Sequence, residues 1–302
     1  MRVSTLLLLL IAAPAPAPAA EAPRARPPEF TAEDRAAFFD DALATLVGPR
    51  PQAGAATPTE ERSGSAATAS TAAWSDLVAP DVLETEVKRQ ASALAKTTRS
   101  ASAYKAGGFR DATDALGVIA TLFAVTAEHS GQPRWRDEAA ALRGLFAAGM
   151  TEADAATDAA YAAAADRSAD LQDLVRGGRP ATPEAEPTVD WSQLASRSTL
   201  MRRMEAAEGE RLRGWVASER ALARNAEDAR HEAQVLALLA EAILRPEADD
   251  HDDPDYQAYA RRLRVAAGQL AAAAEAEDQP AAAAAMTEVS RSCVDCHADY
   301  RG

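Results

Sequence analysis

Apolar residues recur every three or four positions along most of the chain, which is the spacing of amphipathic helices. One run after Gly108 places four of them on a single helix face: Leu116, Ile119, Ala120 and Phe123. Alanine, the best helix former, dominates the apolar residues, whereas the β-branched and aromatic residues that favour strands are sparse. The pattern therefore predicts an all-α fold.

Residues 73–178 contain four helical runs joined by short connections. The first run opens at Pro80 and ends near Gly107, and the fourth ends before Gly177. Short connections favour antiparallel neighbours, so we predict a four-helix bundle here. A Pro-rich linker at 179–189 follows it.

Residues 190–302 repeat the pattern of residues 73–178, and we call the two regions the second copy and the first copy. Trp191 lies 117 positions after Trp74 in a similar local sequence. The predicted helices of the second copy span 197–220, 224–244, 254–277 and 280–300, with Pro254 and Pro280 in first turns. The fold prediction is therefore two tandem antiparallel four-helix bundles. Because the linker is Pro-rich, we expect few contacts between the copies.

The first 72 residues differ in composition from the rest. Residues 1–20 combine Arg2, a short apolar core and small residues at a cleavage site, as in a secretory signal peptide. Residues 21–72 predict a linker that contains a short helix over 31–47. No stretch is long enough to span a bilayer, so we expect an exported, periplasmic protein without a membrane span.

The charge of the chain excludes one broad class of partner. Lys and Arg number 32 against 46 Asp and Glu, which gives a net charge of −14. Nucleic-acid binding needs a basic face, so we predict no nucleic-acid partner. The chain also contains no phosphate-cradling glycine loop, G-x-S-x-G elbow or H-E-x-x-H run.

The last ten residues contain the strongest chemical signal. Cys293, Cys296 and His297 form a C-x-x-C-H run, and these two cysteines are the only ones in the chain. C-x-x-C-H is the attachment signature of c-type haem, in which two thiols form thioethers and the imidazole binds iron. On a helix the three residues share one face, which Tyr300 continues. We predict one covalent haem c bound by Cys293, Cys296 and Tyr300, with His297 as the proximal iron ligand.

The C-x-x-C-H motif has three other interpretations. A zinc site needs four ligands, and the remaining histidines show no matching spacing. A thioredoxin-type C-x-x-C needs a βαβ context, and the sequence predicts no strands. A chance triplet at a helix end is the third interpretation. The signal peptide and the location of both cysteines inside the motif favour haem.

The motif closes the last predicted helix as C-x-x-C-H-x-x-Y-R, ending at Arg301. This arrangement resembles the cytochrome c prime group, the class II c-type cytochromes. The resemblance is strongest at the motif, extends over the second copy and is faint before it. It implies a haem-binding four-helix bundle at 190–302. It also implies a possible homodimer in which two chains pair through their first helices. The first copy has no cysteine, so we predict that it is haem-free.

The resemblance also implies that the first helix of the haem bundle covers the distal side of the iron. In the repeat alignment Met204 lies opposite the apolar Val87, whereas Met201 lies opposite Glu84. Met204 is therefore the candidate distal ligand, and the alternative is a flexible core residue. An apolar residue at this place would leave the iron five-coordinate.

The leading functional hypothesis is electron transfer by the haem iron, with an unidentified redox partner protein, and the chain is expected to be a carrier rather than an enzyme. One alternative is five-coordinate haem that binds nitric oxide or carbon monoxide. Another is a helical interaction module in which the haem is secondary. A peroxidase would need distal acid–base groups, and the sequence indicates none.

Other polar residues are interpreted as structural or solvated. His129 is expected at a helix C-terminus or on the surface. His231 is expected in solvent among charges, and the alternative for it is a contact to the haem. His251 lies in an acidic loop that we expect to be solvated. A stripe of arginines is expected on a solvent face, where one of them could pair with a haem propionate: Arg202, Arg203, Arg211 and Arg213.

Overall fold

The structure, a computed structural model, describes residues 72–301, and no strand occurs among them. The all-α prediction is confirmed. The long helices of this part of the chain are α1 (Pro80–Thr97), α2 (Phe109–Glu128), α3 (Ala139–Ala153), α4 (Asp158–Arg176), α5 (Arg197–Ala207), α6 (Glu219–Ala242), α7 (Pro254–Glu275) and α8 (Gln279–Tyr300). Shorter helical segments are Trp74–Leu77, Ala101–Ala103, the π-helical turns Tyr104–Gly108 and Glu208–Leu212, the 3-10 turns Arg136–Glu138 and Trp191–Gln193, and Arg213–Trp215.

Several predictions fall before residue 72. The signal peptide at 1–20 and the short helix at 31–47 lie outside the described residues, as does the linker up to residue 71. Within the part of the chain that the structure describes, no helix is both long and apolar enough to cross a membrane.

The helices of the second copy begin where side chains can satisfy their first free backbone N–H groups. Ser196 accepts a hydrogen bond from the backbone N–H of Thr199 at the start of α5. Asp278 caps α8 in the same way, and a proline follows in the first turn. Pro254 likewise lies in the first turn of α7, so both proline predictions are confirmed.

Each copy contributes four helices that pack on their neighbours in sequence. In the first copy α1 packs on α2, α2 on α3 and α3 on α4, and α4 returns to α1. In the second copy the main contacts join α6 to α7 and α7 to α8, while α5 lies on α6. Alanine and leucine fill both cores, and Phe123 stacks on Phe146 in the first one, with ring centroids 5.5 Å apart. The tandem four-helix arrangement follows from this packing.

The two copies also pack on each other. Residues 72–301 fall within one compact unit, and α2 contacts α5 while α1 contacts α6. The linker is exposed but held, because Arg143 donates to the carbonyls of Glu186 at 2.7 Å and Thr188 at 3.0 Å. The expectation of few contacts between the copies is therefore wrong. A proline-rich composition reports on local chain stiffness and not on what the flanking helices bury. The domain division at 179–189 stays a prediction.

Candidate functional site

The C-x-x-C-H residues lie in the last two turns of α8. Cys293 and Cys296 are free thiols, half-buried against the core, and they lie three residues apart on one face of the helix. His297 follows at the exposed edge of that face and makes no hydrogen bond to any described residue. The thiols are thus fixed by packing, and the imidazole remains available as a ligand.

Burial keeps both thiols protonated at neutral pH. Desolvation, together with the nearby carboxylate of Glu208, raises the pKa of Cys293 to about 11. Desolvation also raises the pKa of Cys296, although the charge of Arg197 opposes this shift. A neutral thiol adds across a vinyl group, with sulfur bonded to one carbon and hydrogen to the other.

Helix α5 runs past this face of α8 in the opposite direction. Arg197 at its start acts electrostatically on Cys296, and Glu208 just after its end acts on Cys293. Glu208 also accepts a hydrogen bond from Ser290 of α8 at 2.6 Å. Helical spacing places Met201 and Met204 on the same side of α5 as Arg197 and Glu208. Met204 is 4% exposed and Met201 is half-buried.

In the first copy, the helices equivalent to α5 and α8 pack directly against each other. There α1 packs along α4, and Gln172 donates from Nε2 to the carbonyl of Ala91 at 3.2 Å. In the repeat alignment Gln172 matches Cys293 and Ala91 matches Glu208. In the second copy α8 packs mainly on α7, and on its other side it contacts the π-helical turn 208–212 more than residues 197–207. Two thiols, an exposed imidazole and a loosely packed helix pair fit a planar group attached to α8.

Tyr300 lies on the α7 side of the motif. Its ring meets those of Tyr256 and Tyr259 edge-on, with centroids 5.2 Å and 6.3 Å away. Tyr256 acts electrostatically on Cys296 as well, so these rings adjoin the second thiol. Tyr300 is therefore beside the motif but packs against α7 rather than toward α5.

A small cavity lies between the start of α5 and the end of α6, and Thr121 of the first copy also lines it. Arg197, Leu200 and Tyr256 are among the residues that line it, and its volume is about 60 Å³. Pockets for organic ligands measure ~300–1,000 Å³, so this cavity is too small for a tetrapyrrole.

One of the histidine interpretations is wrong. His231 is not solvated: it is 4% exposed, and its Nε2 donates to Glu86 at 2.9 Å. His129 is the C-cap residue of α2, as one of the two interpretations held, but it is buried and donates to the carbonyl of Val78 at 2.9 Å. His251 is half-buried in its acidic loop, with Nδ1 2.9 Å from the carbonyl oxygen of Ala248.

The arginine stripe is also not one solvent face. Arg203 is 8% exposed and bonds Glu86 at 2.8 Å and Glu232 at 2.7 Å. Arg211 bonds Glu232 as well, and Arg202 bonds Asp114. Among the four arginines, Arg213 is the one whose charge acts on Cys293, and it pairs with Glu208.

A buried ionic cluster that the sequence interpretation missed joins the two copies: Glu86, Arg203, His231 and Glu232. The ligand atoms of its two carboxylates and its imidazole lie within 4.8 Å of one another, as in a metal site. Arg203 pairs with both carboxylates and Arg211 pairs with Glu232 as well, so guanidinium charges balance the two carboxylates in this network. Burial raises the pKa of Glu86, but Arg203 and the His231 hydrogen bond outweigh burial and hold the pKa well below its usual value.

No curated protein and no solved structure matches the chain. A family model described as Cytochrome C' matches residues 251–301, which cover α7, α8 and the complete C-x-x-C-H motif. The match confirms the resemblance that the motif carries, and this C-terminal part of the chain is similar to cytochrome C'.

Proposed function

We propose that the chain is an exported c-type cytochrome that holds one haem c on α8 and uses it for electron transfer. The observation that carries this proposal is the motif itself, with two thiols and an imidazole on one face of α8 opposite a methionine-bearing face of α5. The match of residues 251–301 to cytochrome C' supports it. Export rests on the predicted signal peptide at 1–20.

Each motif residue has a separate role in this proposal. Cys293 and Cys296 attach the haem as thioethers, which fixes its position relative to α8. His297 binds the iron on the proximal side, and Tyr300 contributes the aromatic contact beside Cys296. When bound, the haem supplies an iron that cycles between two oxidation states, and the axial ligands and burial set its potential.

The position of the motif suits exchange of electrons with another protein. His297 is exposed, and Val294 between the two cysteines is 66% exposed. A group attached here lies near the surface, where a redox partner can approach.

Met204 is the proposed distal ligand. It lies between Arg197 and Glu208 on the side of α5 whose two ends flank the thiols, and it is more buried than Met201. Thioether ligation raises the reduction potential and keeps the iron six-coordinate, which suits an electron carrier.

Gas binding is the second candidate function, and Leu200 favours it. This buried side chain lies one turn before Met204 on α5. If Leu200 covers the iron in place of Met204, the sixth position stays open to nitric oxide or carbon monoxide.

The visible spectrum of the exported protein tests the proposal. We expect the sharp, redox-dependent bands of a six-coordinate c-type haem after expression with a haem-attachment system. A purified protein without haem absorbance would end the proposal. A high-spin spectrum with rapid carbon monoxide binding would replace electron transfer by gas binding.

A further inference from the structure

The two copies face each other through equivalent residues. Trp74 lies against Trp191 with ring centroids 5.5 Å apart, and Glu86 bonds Arg203 at 2.8 Å. The members of both pairs are 117 positions apart, which is the repeat offset. Residues meet their own equivalents only near a two-fold axis, so the copies are paired as in a symmetric dimer.

Reciprocal contacts away from that axis agree with this symmetry. Helix α1 rests on α6, where Arg230 donates to Asp81 at 2.8 Å. The equivalent helices α5 and α2 meet in the same way, and there Thr199 donates to Asp114 at 2.7 Å. Each copy thus presents its first helix to the second helix of the other.

The side chains at this interface are not symmetric in charge. In the repeat alignment, acidic Glu86 of the first copy corresponds to basic Arg203 of the second copy, and the two form a salt bridge. In the same alignment Glu128 corresponds to Arg245. Both members of the second pair converge on Trp74: its Nε1 donates to Glu128 at 2.7 Å, and the Arg245 guanidinium lies 4.1 Å from the ring centroid. At these two places the first copy supplies the acid and the second copy supplies the base, whereas Arg89 of the first copy pairs in the opposite sense with Asp228 and Glu232.

If two first copies or two second copies paired on the same axis, like charges would meet where opposite charges meet now. Two second copies on the same axis would bring Arg203 against Arg203 and Arg245 against Arg245. Each Arg203 would keep Glu232 of its own copy but lose Glu86. Two first copies would place Glu86 against Glu86. Like charges in a buried interface select against that pairing.

We propose that the first copy is a built-in partner of the second, fitted to it by charge, and that it covers the face that α5 and α6 of the second copy present to it. The second copy then carries its motif within a paired assembly that contains a single C-x-x-C-H. This inference concerns the interface alone and does not depend on haem attachment.

Cleavage of the linker in the folded full chain tests the proposal. Residues 181–187 are exposed, so a protease recognition sequence placed there can be cut without opening either bundle. We expect the cut halves to co-elute in size-exclusion chromatography at 0.15 M salt, detected by mass. Halves that separate after cleavage of the wild-type sequence would overturn the proposal.

Two charge reversals at separate places in the interface complete the test. Arg203→Glu and Glu128→Arg each create a like-charge contact, and we expect the cut halves of both variants to separate. If the Arg203→Glu variant does not fold, separation or co-elution of the Glu128→Arg halves decides the test. Arg224→Glu is the control, since Arg224 is exposed on α6 and forms no ion pair among the described residues. Co-elution of the reversed halves equal to that of the control would contradict charge-fitted pairing.

Discussion

Glu86 and Arg203 occupy equivalent positions in the two copies and form a salt bridge of 2.8 Å with both side chains almost completely buried. Breaking a buried ion pair from one side leaves the other charge without compensation, which costs ~3–5 kcal/mol. Glu86→Gln should therefore lower the free energy of unfolding by about that amount, measured by urea denaturation. Glu84→Gln is the matched control, since Glu84 pairs with Lys88 and Arg134 in a more exposed setting. A surface pair contributes only ~0–1 kcal/mol, so equal losses in the two variants would contradict this account.

The same pair makes stability depend on pH. Arg203 and His231 hold the pKa of Glu86 below its usual value of 4.5, against the opposing effect of burial. A lowered folded-state pKa contributes stability that is complete above the unfolded-state pKa and is lost as the pH falls toward the folded-state pKa. We expect wild-type stability to decline below pH 4.5, and Glu86→Gln to decline less steeply. Parallel pH profiles for the two proteins would show that Glu86 does not contribute.

Trp74 should be among the most sensitive core positions of the interface. It is 3% exposed, packs against Trp191 and donates its indole N–H to Glu128. Trp74→Ala removes a large buried ring and should cost ~3–5 kcal/mol by thermal or urea unfolding. Trp215→Ala, at a half-buried position, should cost clearly less. The opposite order would mean that the interface contributes little to stability.

The sequence predicts where helices begin, but it does not predict which helix surfaces become buried. The start of α5 at Arg197 and of α7 at Pro254 follow from capping and proline signals that act within one turn. Whether Arg203 faces solvent or Glu86 depends on how two bundles pack, and a helical pattern of charged residues is the same in both cases. One signal was present: the repeat alignment sets acidic Glu86 opposite basic Arg203.

The candidate site likewise combines residues that the sequence predicts with contacts that it does not predict. The chemistry of Cys293, Cys296 and His297 is readable because the motif is local and its residues are adjacent on one helix. The approach of Arg197 and Glu208 to the thiols depends on the packing of α5 beside α8, which no local pattern specifies.

The choice between Met204 and Met201 as distal ligand can be tested by matched substitutions. Both lie on the same side of α5, but Met204 is the more buried. Met204→Ala should convert the haem spectrum from low-spin to high-spin and lower the reduction potential, because it removes the thioether ligand. Met201→Ala should leave both unchanged. An unaltered spectrum in Met204→Ala would make Met204 a core residue and would favour gas binding.

The most direct test of the central claim is the mass of the mature chain and of its C-terminal peptide. We predict one haem per chain, resistant to acid-acetone extraction and located on the peptide that contains Cys293 and Cys296. The double variant Cys293→Ala/Cys296→Ala should carry none and should retain its helical content by circular dichroism. A mature chain without haem, with two haems, or with haem that acid-acetone removes would contradict the account.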